Sequence, residues 1–369
     1  MAAQLSQISI QGYKSIRELG NLTLGRLTVL VGANGAGKSN FVDFFRLLRA
    51  MSEERLQSFV ADGGGADGYV YKNIKETSEI NAHLVFGKNE YRFGLKPLPS
   101  GKMSIVSEGV LYRGGGTWTD TCGPRDESLI KKWRNSMSSQ SGTSSKESYI
   151  YDSVSRWIVY HVHDTSITAS VRRERPLADN KDLAPDVGNL AAFLARMRAE
   201  HALEYRNLLS IIRSIAPFFD DFILEPFKKG DNELVRLDWL QNGNSSPMQP
   251  WQLSDGTLRF IALATALRQP RRPSTIVIDE PELGLHPAAL SALTELIKEA
   301  SEETQIIIST QSPALLDDFK PEDVLVAAYS QGETRYDRLD SEGIKLWLDD
   351  YRLGDLVRKN VIDAGPCHV

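Results

Sequence analysis

Residues 27–51 read LTVLVGANGAGKSNFVDFFRLLRAM, and the reading of this stretch decides the rest of the chain. Leu27 to Val31 is an apolar, β-branched run that predicts a buried strand, and Lys38 to about Met51 predicts a helix. Between them, Gly32-Ala33-Asn34-Gly35-Ala36-Gly37-Lys38-Ser39 matches GxxxxGK[ST] in full. Glycines let the backbone curl so that successive N–H groups converge on an anion, and the helix start adds the positive end of its dipole. Lys38 is then placed to reach the β- and γ-phosphates of a nucleotide, and the Ser39 hydroxyl to ligate Mg²⁺. Gly32, Asn34, Gly35, Gly37 and Asn40 are the other candidate nucleotide-binding positions of the loop.

A second signal lies far downstream. Thr275-Ile276-Val277-Ile278-Asp279-Glu280 is an apolar strand ending in two acids. An Asp at such a tip helps hold Mg²⁺, and the Glu after it can polarise an attacking water. Asp279 is the expected metal residue and Glu280 the expected catalytic one. About 20 residues earlier, Leu253-Ser254-Asp255-Gly256-Thr257 opens a predicted helix, Leu258 to Leu267. A serine and a glycine before a helix start make a second anion site. One chain cannot easily bring two phosphate sites to one γ-phosphate, whereas two head-to-tail copies can.

The remaining elements follow from periodicity. Strands are expected at 4–10, 80–86, 90–96, 103–112, 157–162 and 305–309. Helices are expected at 190–215 and 288–300. Residues 62–68 (DGGGADG) read as a glycine-rich loop, and the serine-rich 135–147 as a mobile loop or linker. Continuous apolar strands separated by helices predict an α/β fold with a mixed and largely parallel sheet flanked by helices. The motifs sit at the two ends of the chain. Residues 1–60 and 245–369 are therefore expected to form a nucleotide-binding head, with 61–244 as an inserted β-rich and helical lobe.

The chain has 369 residues and a net charge of −5, which argues against a protein that coats nucleic acid but allows a local basic face. Cys122 and Cys367 stand alone, so neither a disulfide framework nor a zinc site is indicated. The start lacks a signal-peptide pattern, and no run of about 18 apolar residues occurs. A cytoplasmic protein with no membrane association is expected.

The order GANGAGKS, LSDGT, IVIDEPELGLHP, STQSP and LDDYRLGDLV resembles the ABC-type ATPase heads of the SMC/RecF/OLD superfamily. Within it, the chain is similar to bacterial predicted AAA-family ATPases that lack long coiled coils. The resemblance implies a P-loop NTPase fold of ABC type, ATP and Mg²⁺ as cofactors, and a homodimer formed on ATP binding. It places Ser254, Asp255 and Gly256 as trans contacts to a partner's γ-phosphate, and Gly284 to Pro287 at the dimer interface. Gln311 stands where many such heads carry a histidine; it can donate a hydrogen bond but holds no proton or charge, which implies slow hydrolysis. Tyr13-Lys14-Ser15 resembles a segment whose basic residue and serine lie near the nucleotide.

Three functions follow from the resemblance. The first is an ATPase coupled to DNA or to an effector, as in phage defence. The second is a slow-hydrolysing switch that recruits a separate nuclease or toxin subunit. The third is a RecF-like repair protein. Roughly 56 residues follow the STQSP strand, too few for an appended nuclease domain. Only about 210 residues separate the loop from LSDGT, so long coiled-coil arms are excluded.

Other clusters read as structural. His161 and His163 share one face of a strand, but no second cluster in sequence completes a metal site. His286 is a candidate for the interface or for a helix cap. Arg172-Arg173-Glu174-Arg175, Lys228-Lys229, Arg268 and Arg271-Arg272 read as solvated faces, or else as the walls of a DNA groove between subunits.

Overall fold

Alternating burial in the first strand, with Ile8 and Ile10 inside and Gln11 outside, sets the chain into an antiparallel sheet from the start. The computed structural model describes residues 4–137, 146–339 and 342–362. In chain order, β1 (Gln7–Tyr13), β2 (Ile16–Thr23) and β3 (Leu27–Val31) precede α1 (Lys38–Ser52) and α2 (Leu56–Asp62). Then come β4 (Ile80–Phe86), β5 (Asn89–Pro97), β6 (Met103–Tyr112), β7 (Thr119–Arg125), α3 (Ile130–Met137), α4 (Lys146–Val154) and β8 (Trp157–Tyr160). The middle carries β9 (Arg175–Pro176), α5 (Leu190–Glu200), α6 (Ala202–Ile215), β10 (Phe219–Ile223), β11 (Phe227–Lys229), β12 (Asn232–Val235) and β13 (Asp238–Gln241). The last part holds α7 (Asp255–Arg268), β14 (Thr275–Asp279), α8 (Pro287–Ser301), β15 (Gln305–Thr310) and α9 (Pro313–Leu316). It closes with β16 (Val324–Ser330), β17 (Glu333–Arg338), α10 (Lys345–Leu348) and α11 (Leu353–Arg358).

The chain divides into two compact units. The first comprises residues 1–159, 273–277 and 304–369, and the second 160–272 and 278–303. The phosphate loop thus shares its unit with residues 61–159, so compactness follows different boundaries from those drawn on the motifs.

Unit one contains an antiparallel sheet, β2-β1-β4-β5-β6-β7, and a mixed sheet of order β17-β16-β3-β15-β14-β8, whose β8 and β14 run on into unit two. In the mixed sheet β3 pairs in parallel with β15 and β16, and β16 pairs antiparallel with β17. Helix α1 is the centre of the core. Its Phe44 stacks on Phe93 of β5 at 6.3 Å, Phe45 meets Trp157 of β8 at 5.1 Å, and Phe41 meets Tyr336 of β17 at 5.4 Å. One apolar cluster therefore binds residues of both sheets to the helix that the phosphate loop starts. Near the end of the chain, Gly354 opens α11 onto α9: its N–H donates to Asp317 at 2.8 Å, and a Cβ there would lie 2.1 Å from Pro313 O.

Unit two is built around α7, whose residues from Leu258 to Leu267 are all buried. Two small antiparallel sheets, β10-β13 and β11-β12-β9, accompany α5, α6 and α8.

Three expectations need correction. The 190–215 helix is broken at His201, which leaves helical geometry (φ −136°, ψ 55°) and serves both as the end of α5 and the start of α6. Leu203 is exposed just after that break. The strand expected over 157–162 ends at Tyr160. Of the serine-rich 135–147, residues 138–145 lie outside the described residues, while its two ends belong to helices α3 and α4. Cys367 also lies outside them, and Cys122 is an exposed free thiol.

Candidate functional site

In unit one, the phosphate loop leaves β3 at Gly32 and enters α1 at Gly37, which takes the left-handed conformation (φ 98°) that glycine alone adopts cheaply. Both glycines also face the β16–β17 hairpin. A Cβ at Gly32 would come within 2.4 Å of Ala327 O, and one at Gly37 within 2.2 Å of Thr334 Oγ1. Tyr336 completes the clamp by donating its hydroxyl to Gly37 O at 2.8 Å. Burial pushes the Tyr336 phenol well above its ordinary pKa, so it stays a donor at any physiological pH. Lys38 is buried, and its ammonium donates to Gly32 O at 2.7 Å and Ala33 O at 3.0 Å, within the curve of the loop. Ser39 is exposed in the first turn of α1, where backbone N–H groups have no intrahelical acceptor.

The Lys14-Ser15 turn packs beside the loop. Lys14, at φ 47°, donates to Asp43 of α1 at 2.5 Å and lies 4.9 Å over the Tyr69 ring. Tyr13 donates to the same carboxylate at 3.0 Å. Ser15 shares hydrogen bonds with Asn40 Nδ2 (2.6 Å) and Thr334 Oγ1 (2.7 Å). Ser15 and Asn40 are thus one network, while the Lys14 ammonium is committed to Asp43. Gln311 follows β15, whose Thr310 pairs with Val31 of β3. It therefore emerges one step beyond that pair, beside the exit of β3 into Gly32.

In unit two, Asp279 ends β14 and Glu280 takes a left-handed backbone (φ 46°), a conformation that costs a non-glycine residue about 1–2 kcal/mol. Strain of this kind persists where surrounding structure enforces it. Arg259 of α7 does so by donating to Leu283 O in the turn that follows, and to His163 O at 2.8 Å. Burial lowers the pKa of Arg259, opposed by the carboxylate of Asp255. Gly284 lies at φ 71°, and its carbonyl would be 2.5 Å from a Cβ on Gly256. His286 caps α8, its Nδ1 accepting from Ala288 N at 3.4 Å with Pro287 as the first helical residue.

Ser254 is the N-cap of α7, accepting from Thr257 N at 3.1 Å. The helix begins at Asp255, earlier than the sequence pattern indicated. Ser254 and Asp255 are exposed, whereas Gly256 is held against Gly284. The loop before the helix is fixed by Arg172, a residue the sequence placed on a solvated basic face. It is 5% exposed and donates to Thr165 O (2.8 Å), to Pro250 O, twice to Leu253 O (3.2 Å each) and to Asp255 Oδ1 (2.7 Å). Arg268 and Arg272 pair with Glu299 and Glu303 on and after α8, and Lys229 pairs with Glu174. The structure also brings His161 and His163 to Asp279, with their possible ligand atoms all within 4.8 Å of one another.

The family described as "AAA domain, putative AbiEii toxin, Type IV TA system" matches residues 27–317, from β3 through the end of α9. The chain belongs to this family. No curated protein matches it in sequence. Solved structures of SMC heads share its fold. An SMC head bound to the C-terminal winged-helix domain of ScpA aligns with 16% identity and a TM-score of 0.53, covering 92% of this chain and 99% of the other. The Pyrococcus furiosus Smc head with an extended coiled coil, bound to the C-terminal domain of ScpA, aligns with 15% identity and a TM-score of 0.54, covering 94% and 98%. The fold is thus that of an ABC-type ATPase head, and α1 and α8, at 15 residues each, are unmatched in length among the described helices. No described helix is long and apolar enough to cross a membrane.

Proposed function

We propose that the protein is a Mg-ATP-dependent ATPase whose two composite sites form when two copies meet head to tail. The observation that carries this reading is a pair of helix starts in one chain, α1 behind Gly37 and α7 behind Ser254, of the kind that can take an anion. Lys38, Ser39 and the loop amides fit a triphosphate: a buried ammonium resting on two backbone carbonyls can exchange them for phosphate oxygens at little cost in desolvation. Ser39 and Asp279 supply the oxygen donors that a hard cation takes. Bound Mg²⁺ would neutralise charge that develops on the phosphates. Glu280 orients the attacking water, Gln311 donates a hydrogen bond toward the γ-phosphate, and Asn34, Gly35, Asn40 and Ser15 line the loop. Ser254, Asp255 and Gly256 reach the partner copy's nucleotide. Residues 1–60 and 245–369 carry this chemistry, and 61–244 offers the surface for an effector, with Arg172 as the lobe's contribution to the site.

A slower switch that recruits a separate nuclease or toxin subunit is the second reading, favoured by Gln311 in place of a histidine and by the toxin–antitoxin description of the family. Coupling to DNA has less support, because Arg172 is buried and Arg268, Arg272 and Lys229 are paired with acids.

Light scattering of Glu280→Gln with and without Mg-ATP tests the proposal. A monomer that becomes a dimer only with ATP supports it, and a persistent monomer with bound ATP refutes the composite site. Lys38→Ala should abolish nucleotide binding. Ser254→Arg should keep binding and lose hydrolysis; normal hydrolysis by a monomeric Ser254→Arg protein would sink the head-to-tail arrangement.

A further inference from the structure

We propose that His161, His163 and Asp279 form a site for a borderline-soft divalent cation of the Zn²⁺ or Co²⁺ type. The proposal rests on the nucleotide-site reading, since it shares the Asp279 carboxylate assigned there to Mg²⁺; with the histidines that carboxylate serves a different ion, in the nucleotide-free protein. The three side chains come from β14 and from the segment after its sheet neighbour β8, and all lie in unit two. That segment is fixed at three backbone points. His161 N donates to Pro185 O at 3.0 Å, His163 O accepts from Arg259 at 2.8 Å, and Thr165 O accepts from Arg172 at 2.8 Å. Val162 is buried between the two histidines in sequence, and the two rings lie side by side with centroids 4.1 Å apart. Arg259 also holds the turn behind Asp279 through Leu283 O, so one guanidinium fixes both sides of the cluster.

The donor set decides the class of ion. Two imidazoles and one carboxylate disfavour Mg²⁺, which takes oxygen ligands, and suit zinc and its neighbours. Metal–ligand bonds of about 2.0–2.1 Å put tetrahedral donors about 3.3 Å apart. The present spacing is at most 4.8 Å, so a bound ion would draw the donors in by up to about 1.5 Å. Moreover, His163 Nε2 is buried with no hydrogen-bond partner among the described residues, an arrangement that a ligated metal would satisfy and a packed histidine pair does not. Three protein ligands leave a fourth position open, the arrangement in which a bound cation takes water or a substrate oxygen.

Cobalt titration of the nucleotide-free, full-length protein tests this, read by visible absorption and by zinc competition. One equivalent should bind with tetrahedral d–d bands and be displaced by Zn²⁺ but not by Mg²⁺. His161→Ala, His163→Ala and Asp279→Asn should each weaken binding by at least the roughly 10- to 100-fold that loss of an outer partner costs. His161 is exposed, so its variant separates ligand loss from misfolding. Lys38→Ala should lose nucleotide yet keep cobalt. Wild-type affinity in both histidine variants, or the absence of tetrahedral bands, overturns the inference. A protein that binds nucleotide but no cobalt leaves the ATPase reading standing and removes this one; cobalt bound through the histidines in a protein that takes no nucleotide does the reverse.

Discussion

Replacing Arg172 by methionine removes the side chain that fixes the loop before α7 while keeping most of its volume. Its guanidinium serves three backbone carbonyls, Thr165, Pro250 and Leu253, and one carboxylate, Asp255. The Asp255 side chain is 69% exposed, so that ion pair adds little once solvent screening is counted. The carbonyls decide the cost. Each buried acceptor stripped of its donor costs about 1–3 kcal/mol, offset in part because the guanidinium no longer has to be desolvated, which leaves about 2–4 kcal/mol. Hydrogen exchange at Thr257 and Leu258, whose N–H groups bond to Ser254, reads this locally. At 1.4 kcal/mol per decade, exchange should speed up about 30- to 700-fold relative to wild type. Arg173→Met, at the exposed neighbour, is the control and should change nothing. Equal exchange in the two variants would refute the argument that a buried arginine holds the Ser254 loop.

Gly256→Ala places a methyl 2.5 Å from Gly284 O, so the gain in helix propensity is outweighed and the melt should show a net loss of about 1–3 kcal/mol; an unchanged or raised midpoint would contradict the close approach. Glu280→Gly relieves the left-handed backbone and should raise stability by about 0.5–1 kcal/mol in chemical denaturation while abolishing hydrolysis. Glu280→Gln should give no such gain. Tyr336→Phe loses the bond to Gly37 O, worth about 0.5–1.5 kcal/mol, and should weaken ATP binding measured by calorimetry.

The strand, loop and helix over residues 27–51 were legible because glycine spacing, apolar run and helical periodicity agree there. Thr275–Asp279 was legible for a similar reason. The β16–β17 hairpin was not read, although the alternation of buried Thr334 and Tyr336 in ETRYDR carried the signal. Arg172 was misread because a charge run says nothing about acceptors about 80 residues away. The break at His201 has no glycine or proline to announce it, and the apolar spacing runs straight through. His161 and His163 lacked a third ligand in sequence because Asp279 reaches them only through the order of strands in the sheet.

The clamp on the phosphate loop sets a timetable for synthesis. Gly37 and Tyr336 are 299 positions apart, and β3 takes its two neighbours, β15 and β16, from beyond residue 304. At about 5–20 residues per second, roughly 15–60 s pass between translation of the loop and of the strands that hold it. A nascent chain on the ribosome therefore carries the whole GxxxxGKS sequence without the walls that shape it until the residues of β15, β16 and β17 have been added.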